Sequence, residues 1–471
     1  MLRYFRINDP YRLLGLLCIL LVIYLPIFIN TPEITYPELK SILVGEKVHE
    51  GSALYTDIVD QTPPLAGWFD WFFYLVFRKS LLARHILVFL VVFIQAVYLG
   101  MVFINKKAFS ESTFIPSLLF VILFSFSYDT IVLSSELLGS GFLLLALNNL
   151  FKEIEFREQR DESILNLGLY ISLASLFSFS FAVYLVASIV ILAIFTRLEL
   201  RKYLLMIFGF LVPHLFLISI YYLRDGLGSL WEFYYLPNLN FESSAYVSTK
   251  SLWILGSLPV LYLVISFVML NREARFTKYQ SQLVQGMFFW MIFSVLQILY
   301  SKELRPQNFI TLIPPLSFYI SHFLLLIRRR RFAEINLWVL LIGIVAVNYL
   351  SRYGKIQGVS YAKLIVQDSQ QYAHIRDKRV LVLDDDLTVY KYNVPAPAFL
   401  NWTLSHEIFG QPGYYENVTR VYRAFEKDPA DIILDPKNLM PAYMVRIPEL
   451  QKQYRLTAPG EYHRIVPKKG N

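Results

Sequence analysis

Cysteine is almost missing from this chain. The one present, Cys18, lies inside an apolar block, so an intrachain disulfide is excluded and a small packing residue is expected there. Seven histidines are scattered with no Cys/His ligand spacing, so no metal site is read from them. Charge is scarce too. Asp, Glu, Lys and Arg make up 17% of the 471 residues, against about 25% in soluble domains. No sequence repeat or low-complexity stretch occurs. No small-residue cleavage site follows the first apolar block, only Asn30-Thr31-Pro32-Glu33, so an uncleaved first span is expected. The formal net charge is +8, but the cations sit at the ends of apolar blocks. That placement excludes a nucleic-acid role and points to membrane orientation.

Apolar residues are what the chain has in excess: 56% are hydrophobic and 16% aromatic. They fall in long blocks separated by short charged punctuation. Roughly 20 apolar residues cross about 30 Å of hydrocarbon, and in lipid every backbone N–H and C=O is paired within the segment, so the blocks read as helices. Eleven spans are predicted: 13–30, 82–104, 113–128, 135–151, 163–178, 180–196, 203–223, 251–270, 282–300, 308–327 and 335–351. The segment 64–77 (PLAGWFDWFFYLVF) is too short for a span. Its Trp and Tyr suit a helix lying at the membrane interface.

Short-loop cations set the orientation. Arg3, Arg6 and Arg12; Lys106 and Lys107; Lys152, Arg157 and Arg160; Arg197, Arg201 and Lys202; Arg272, Arg275 and Lys278; and Arg328 to Arg331 occupy every second loop. The loops near 129–134 and 179 have none. The positive-inside rule then puts the N-terminus in the cytoplasm and, after eleven crossings, the C-terminal tail outside. The predicted fold class is an α-helical polytopic membrane protein with a small extracytoplasmic α/β C-terminal domain. Residues 1–351 form the transmembrane domain, with a first outer loop at 31–81, and 352–471 form the soluble domain. Within the tail, RVLVLDDDL (379–387) and ADIILD (430–435) read as buried strands ending in carboxylates, and TRVYRAFEKD (419–428) has helical spacing.

The first outer loop holds the chemistry-bearing pattern. It reads PEITYPELKSILVGEKVHEGSALYTDIVDQTPPLAGW, with carboxylates at Glu33, Glu38, Asp57 and Asp60. ELKSILVGEKVHEG suits a short amphipathic helix with Glu38 in its first turn; the bland alternative is a solvated acidic loop. The order acid, helix, G-x-x-L-Y-x-D, then PPL before an aromatic helix resembles the GT-C glycosyltransferases. The nearest resemblance is to the dolichyl-phosphate-mannose protein mannosyltransferase and aminoarabinose transferase group.

That resemblance implies a polyprenyl-phosphate-linked sugar as donor and transfer on the outer face of the membrane. Glu38 matches the family's acid after the first span. Tyr55, Asp57, Pro63, Pro64 and Leu65 match the later part of the pattern. LLAR (81–84) places Arg84 at the position of an arginine common in the group. The family's paired acids, Asp-Glu or Asp-x-Asp, are replaced here by Pro37-Glu38, which leaves Glu33, Asp57 and Asp60 as alternative carboxylates and a divalent cation as an open cofactor question.

Glycosyl transfer needs a carboxylate within hydrogen-bond reach of the acceptor's proton and cations on the departing lipid phosphate. The assigned roles are Glu38 as base, Asp57 as second carboxylate, and Arg84, Lys302, Arg305 and Tyr55 at the lipid phosphate, with no protein metal site. Interfacial snorkelling is the bland reading of each cation. Arg224 and Lys250, which flank the second large outer loop, are further outer-face cations.

Smaller signals read as structure: Asp384 to Asp386 as solvated turn acids; His85, His214 and His322 as hydrogen-bonded packing residues; Trp402, Tyr414 and Tyr415 as small-domain core, with sugar-stacking platforms as the alternative. Asp129 and Glu136 flank a short outer turn. Asn401-Trp-Thr and Asn417-Val-Thr are glycan sequons, meaningful only in a eukaryotic secretory route.

Three functions follow. The first is a GT-C-type glycosyltransferase whose partners are the lipid bilayer, a polyprenyl-phosphate sugar donor and an acceptor glycan, lipid or protein. The second is a transporter or flippase of lipid-linked envelope precursors, disfavoured by charges confined to span ends and by the missing repeat. The third is a non-catalytic envelope protein. A bacterial inner membrane is the expected location, given short loops and a cysteine-free tail.

Overall fold

The computed structural model describes residues 1–155, 161–196, 198–240, 244–273, 276–368 and 372–465. The loop cations Arg157, Arg160, Arg197 and Arg275 lie outside the described residues. The chain divides into two compact units. One comprises Met1–Pro32, Ser80–Leu217 and Phe241–Leu364; the other comprises Glu33–Lys79, Ile218–Asn240 and Ile365–Asn471.

The first unit is helical. Eight helices of the described chain are long and apolar enough to cross a membrane: Arg12–Ile29, Leu81–Asn105, Ser135–Glu155, Leu200–Leu223, Thr249–Arg272, Lys278–Tyr300, Pro306–Leu326 and Arg330–Arg352. The chain is an integral membrane protein. The other three predicted segments are helical but shorter: Ile115–Phe124, Asp161–Phe177 and Val183–Phe195. A ten-residue helix rises only about 15 Å. The segment predicted at 113–128 is cut short because the chain leaves the helix after Phe124. There the Thr130 hydroxyl donates to the carbonyls of Phe124 and Ser127, both at 2.6 Å, and holds an irregular turn.

Polar side chains join the helices inside this unit. Tyr184 Oη lies 2.7 Å from Ser294 Oγ, Gln297 donates to Ser180 at 2.9 Å, and Thr311 donates to Gln297 at 2.9 Å. Such bonds act where apolar burial gives no preference for one helix partner over lipid.

The second unit gathers the segment predicted as the first outer loop, residues 218–240 and the tail. Its tail carries a five-stranded sheet in the order Val394–Pro395, Arg379–Val382, Ile432–Leu434, Glu461–Arg464, Tyr454–Ala458. The first two pairings are parallel and the last two antiparallel. The run RVLV pairs in register with IIL, Leu381 opposite Ile433. Between these parallel strands the chain crosses over through Trp402–Gly410 and Tyr415–Lys427. The latter is amphipathic: Val421 and Phe425, one turn apart, are buried, while Arg423 and Lys427 are exposed.

Two helices of the first outer loop also belong here, Tyr36–His49 and Pro64–Phe77. The second matches the predicted interfacial segment. It buries Ala66, Gly67, Asp70 and Phe73 and exposes Trp68, Trp71, Phe72 and Leu75, an apolar face suited to lipid. The first corrects the amphipathic reading, because eight of its residues, Glu38 through Lys47, are buried on more than one face. Burial of Glu46 and Lys47 is tolerated because they are paired. Lys47 reaches Glu50 and Asp428, both at 2.7 Å, and Glu46 meets Lys79 at 2.8 Å and the Tyr74 hydroxyl at 3.0 Å.

The two helices touch at Gly45. A Cβ there stands 2.5 Å from the Asp70 carbonyl oxygen, which is backbone and has no rotamer to yield. Gly45→Val is therefore expected to force the helices apart. The destabilisation is about 1–3 kcal/mol, read as a lower thermal midpoint of the protein in detergent, whereas an unchanged midpoint removes this packing account.

Candidate active site

Of the first-loop carboxylates, Glu38 and Asp60 are the most buried, each with 1% of its surface exposed. Thr35 caps the helix of Glu38: its hydroxyl accepts from the Glu38 amide at 3.4 Å, and Pro37 occupies the first turn. Glu38 thus sits on the third helical residue, near the positive end of the macrodipole, with only 1% of its surface exposed. Glu33, the alternative acid, is exposed.

Asp60 is buried and committed to the loop. It pairs with Lys40 at 2.8 Å and accepts from the Thr62 amide at 3.0 Å and from the Thr62 hydroxyl. Asp57 is partly exposed, accepts from the Ala53 amide at 2.7 Å and pairs with Lys427 at 2.6 Å. Its charge is therefore matched by a cation from the tail.

Tyr55 faces inward. Its backbone is left-handed, with φ of +65°. Its ring packs against Tyr221 and Tyr234, and its hydroxyl donates to the Thr62 carbonyl at 2.6 Å. Burial pushes its phenol well above the usual range, so it stays a neutral hydrogen-bond donor. In the position the structure gives it, the fold engages this hydroxyl.

The first unit holds the cations assigned to the phosphate. Arg84 lies in the first turn of Leu81–Asn105, behind a Ser80 cap, and is buried. Its neighbour His85 meets the Ile131 carbonyl at 3.2 Å through Nδ1, which joins this helix to the turn after residue 125. Lys302 is half-buried, and its carbonyl accepts from the Ser244 amide at 2.8 Å.

Arg305 is buried and held by a network the sequence did not reveal. Its Nη2 donates to Glu136 at 2.9 Å, Nη1 donates to Gln307 at 3.2 Å, and Nη1 lies 3.6 Å from Asp129. Asp129 in turn accepts from the Gln307 amide at 2.9 Å, and the Gln307 side chain donates to the Val132 carbonyl at 2.8 Å. Burial works against the Arg305 charge, but Glu136 and Asp129 outweigh it and keep the guanidinium protonated. Burial raises the pKa of Asp129 despite Arg305 and the Gln307 amide.

The signal available in the sequence was the short outer turn flanked by Asp129 and Glu136. What sequence could not supply was their partner, more than 160 residues away. Among the described residues no group of three or more His, Cys, Asp or Glu side chains is placed to hold a metal ion.

Comparison with known proteins adds the following. The chain is similar to ArnT from Cupriavidus metallidurans, solved bound to undecaprenyl phosphate, with 12% identity, a TM-score of 0.48, and 94% of this chain and 89% of that one covered. It is similar to the oligosaccharyltransferase AglB from Archaeoglobus fulgidus in complex with an inhibitory peptide and dolichol phosphate, with 10% identity, a TM-score of 0.48 and coverages of 98% and 75%. It is also similar to the apo form of the Archaeoglobus fulgidus oligosaccharyltransferase, with 10% identity, a TM-score of 0.49 and coverages of 95% and 73%. These are GT-C glycosyltransferases, the group named above from the first outer loop. No curated protein sequence matches the chain. One family model does, a family of unknown function, over residues 63–357.

Proposed function

The chain belongs to that family, DUF6427, and we propose that it is a membrane glycosyltransferase that moves a sugar from a polyprenyl-phosphate donor to an acceptor on the outer face of the membrane. The observation that carries this reading is the enclosed carboxylate of Glu38 at a helix N-terminus, which matches the acid of the glycosyltransferase group that the segment after the first span resembles. Glu38 takes the proton of the acceptor hydroxyl as its oxygen bonds to the sugar's anomeric carbon. The bond from that carbon to the phosphate oxygen breaks, and polyprenyl phosphate leaves. Arg84, Lys302 and Arg305 hold the phosphate charge as it develops, and Asp57 serves as a second carboxylate. Eleven crossings, with the N-terminus inside and the tail outside in a bacterial inner membrane, complete the proposal. Eight helices of spanning length and three shorter ones at the predicted places support it.

The test is the purified chain in proteoliposomes supplied with labelled polyprenyl-phosphate hexoses. Release of polyprenyl phosphate, with label in water or in an added acceptor, is the expected result. Movement of the intact lipid-linked sugar between leaflets with no cleavage would replace the transferase by a flippase.

A further inference from the structure

The second unit contains a cleft that none of the assigned chemistry uses beyond Asp57. Its volume is ≈ 620 Å³, within the roughly 300–1,000 Å³ of ordinary ligand sites. One wall is the helix Tyr415–Lys427, another is the turn after residue 52, and residues 225–229 and 397–399 complete it. Four carboxylates and three cations line it, so it holds no excess of positive charge.

Most of that charge is already matched. Arg420 grips Glu232 with two bonds of 2.7 Å and lies 4.8 Å from the Phe233 ring, while Lys427 pairs with Asp57. Asp428 pairs with Lys47 at 2.7 Å and with Arg379. Among the described residues, Asp225 and Arg423 have no ion-pair partner, which leaves one acceptor and one donor group in the cleft. Hydroxyls of Ser52, Thr56 and Ser229 add groups that both donate and accept.

Given the transferase reading above, we infer that this cleft binds the acceptor, and that the acceptor is a neutral oligosaccharide. A sugar chain offers hydroxyls that donate and accept in turn, and a ring face of C–H bonds. Tyr415, expected above in the core, is instead 84% exposed at the edge of the cleft and offers an aromatic face for the latter. A phosphate ligand is disfavoured because Arg420 and Lys427 are neutralised. An extended peptide is disfavoured because the strand edge is closed. The Val59 amide donates to the Ala398 carbonyl at 2.9 Å, and the Val59 carbonyl accepts from the amides of Leu400 and Asn401 at 3.1 and 3.2 Å. The cleft is braced to the helix of Glu38, because Asp428 lines it and Lys47 on that helix holds Asp428.

The experiment titrates the full chain in lipid nanodiscs with maltotetraose, cellotetraose, mannotetraose and chitotetraose, with inorganic phosphate and tetra-alanine as competitors. At least one tetrasaccharide is expected to bind. Thr419→Trp, which fills the cleft, and Arg423→Ala, an exposed change that spares folding, should each weaken it by about tenfold or more. Lack of binding by all four sugars, equal binding by both variants, or competition by phosphate or the peptide overturns the inference. Donor cleavage by the unaltered chain is read in parallel. Cleavage without tetrasaccharide binding removes the cleft assignment alone, and binding without cleavage removes the transferase reading alone.

Discussion

Glu38→Gln is expected to lower sugar transfer about 10²–10⁴-fold, the usual contribution of a positioned general base. Gln has the same shape, and the Thr35 cap rests on the Glu38 amide and not on its side chain, so the helix survives the change and the loss reads as chemistry. Three comparisons make the assignment decisive. Asp60→Asn removes a carboxylate that already serves Lys40 and Thr62, and Asp57→Asn removes one that already serves Lys427 and Ala53. Glu33→Gln alters an exposed side chain. Each should reduce turnover less than Glu38→Gln. Turnover in proteoliposomes, corrected for folded protein, checks the order. A larger loss at Asp57 or Glu33 would move the base there.

How much of this was legible in the sequence divides along a physical line. Hydrophobic periodicity is local, so the eleven apolar segments all fold as helices, most with ends within a few residues of those predicted, and the segment 64–77 is a separate helix with the bounds read for it. The strands at 379–382 and 432–434 and the helix ending at Lys427 were legible for the same reason. Length was less legible, because a hydroxyl such as Thr130 turns the backbone without changing the apolar count.

Partners were not legible. The helix holding Lys47 was read as amphipathic, yet Lys47 is fully buried against an aspartate of the tail. Asp57 was assigned as a second carboxylate, and its partner Lys427 was not foreseen. Tyr55 matched a motif, and its hydroxyl turns to a backbone carbonyl of the same loop. Ion pairs across hundreds of residues leave no mark in spacing, so residue type and motif position pointed to Glu38 but could not show which neighbouring charges were already paired.

The second large effect falls on Arg305. Removing one partner of a buried charge network costs about 3–5 kcal/mol, because the charges left behind are neither solvated nor paired. Arg305→Met leaves the fully buried Asp129 and the nearly buried Glu136 in that condition, so it is expected to lose that much stability and all transfer together. Such a result alone does not separate a strut from a phosphate ligand. Arg305→Met combined with Asp129→Asn and Glu136→Gln does. The triple variant buries no unpaired charge, so most of the stability should return. The Gln307 amide should still find the carbonyl oxygen of the new Asn at 129, the partner it now has in Asp129. Transfer should stay lost, because no guanidinium remains to hold the departing phosphate. Thermal midpoint and donor cleavage measured on the same preparations check both halves. Recovery of cleavage along with stability would make Arg305 a purely structural cation and leave Arg84 and Lys302 to hold the phosphate.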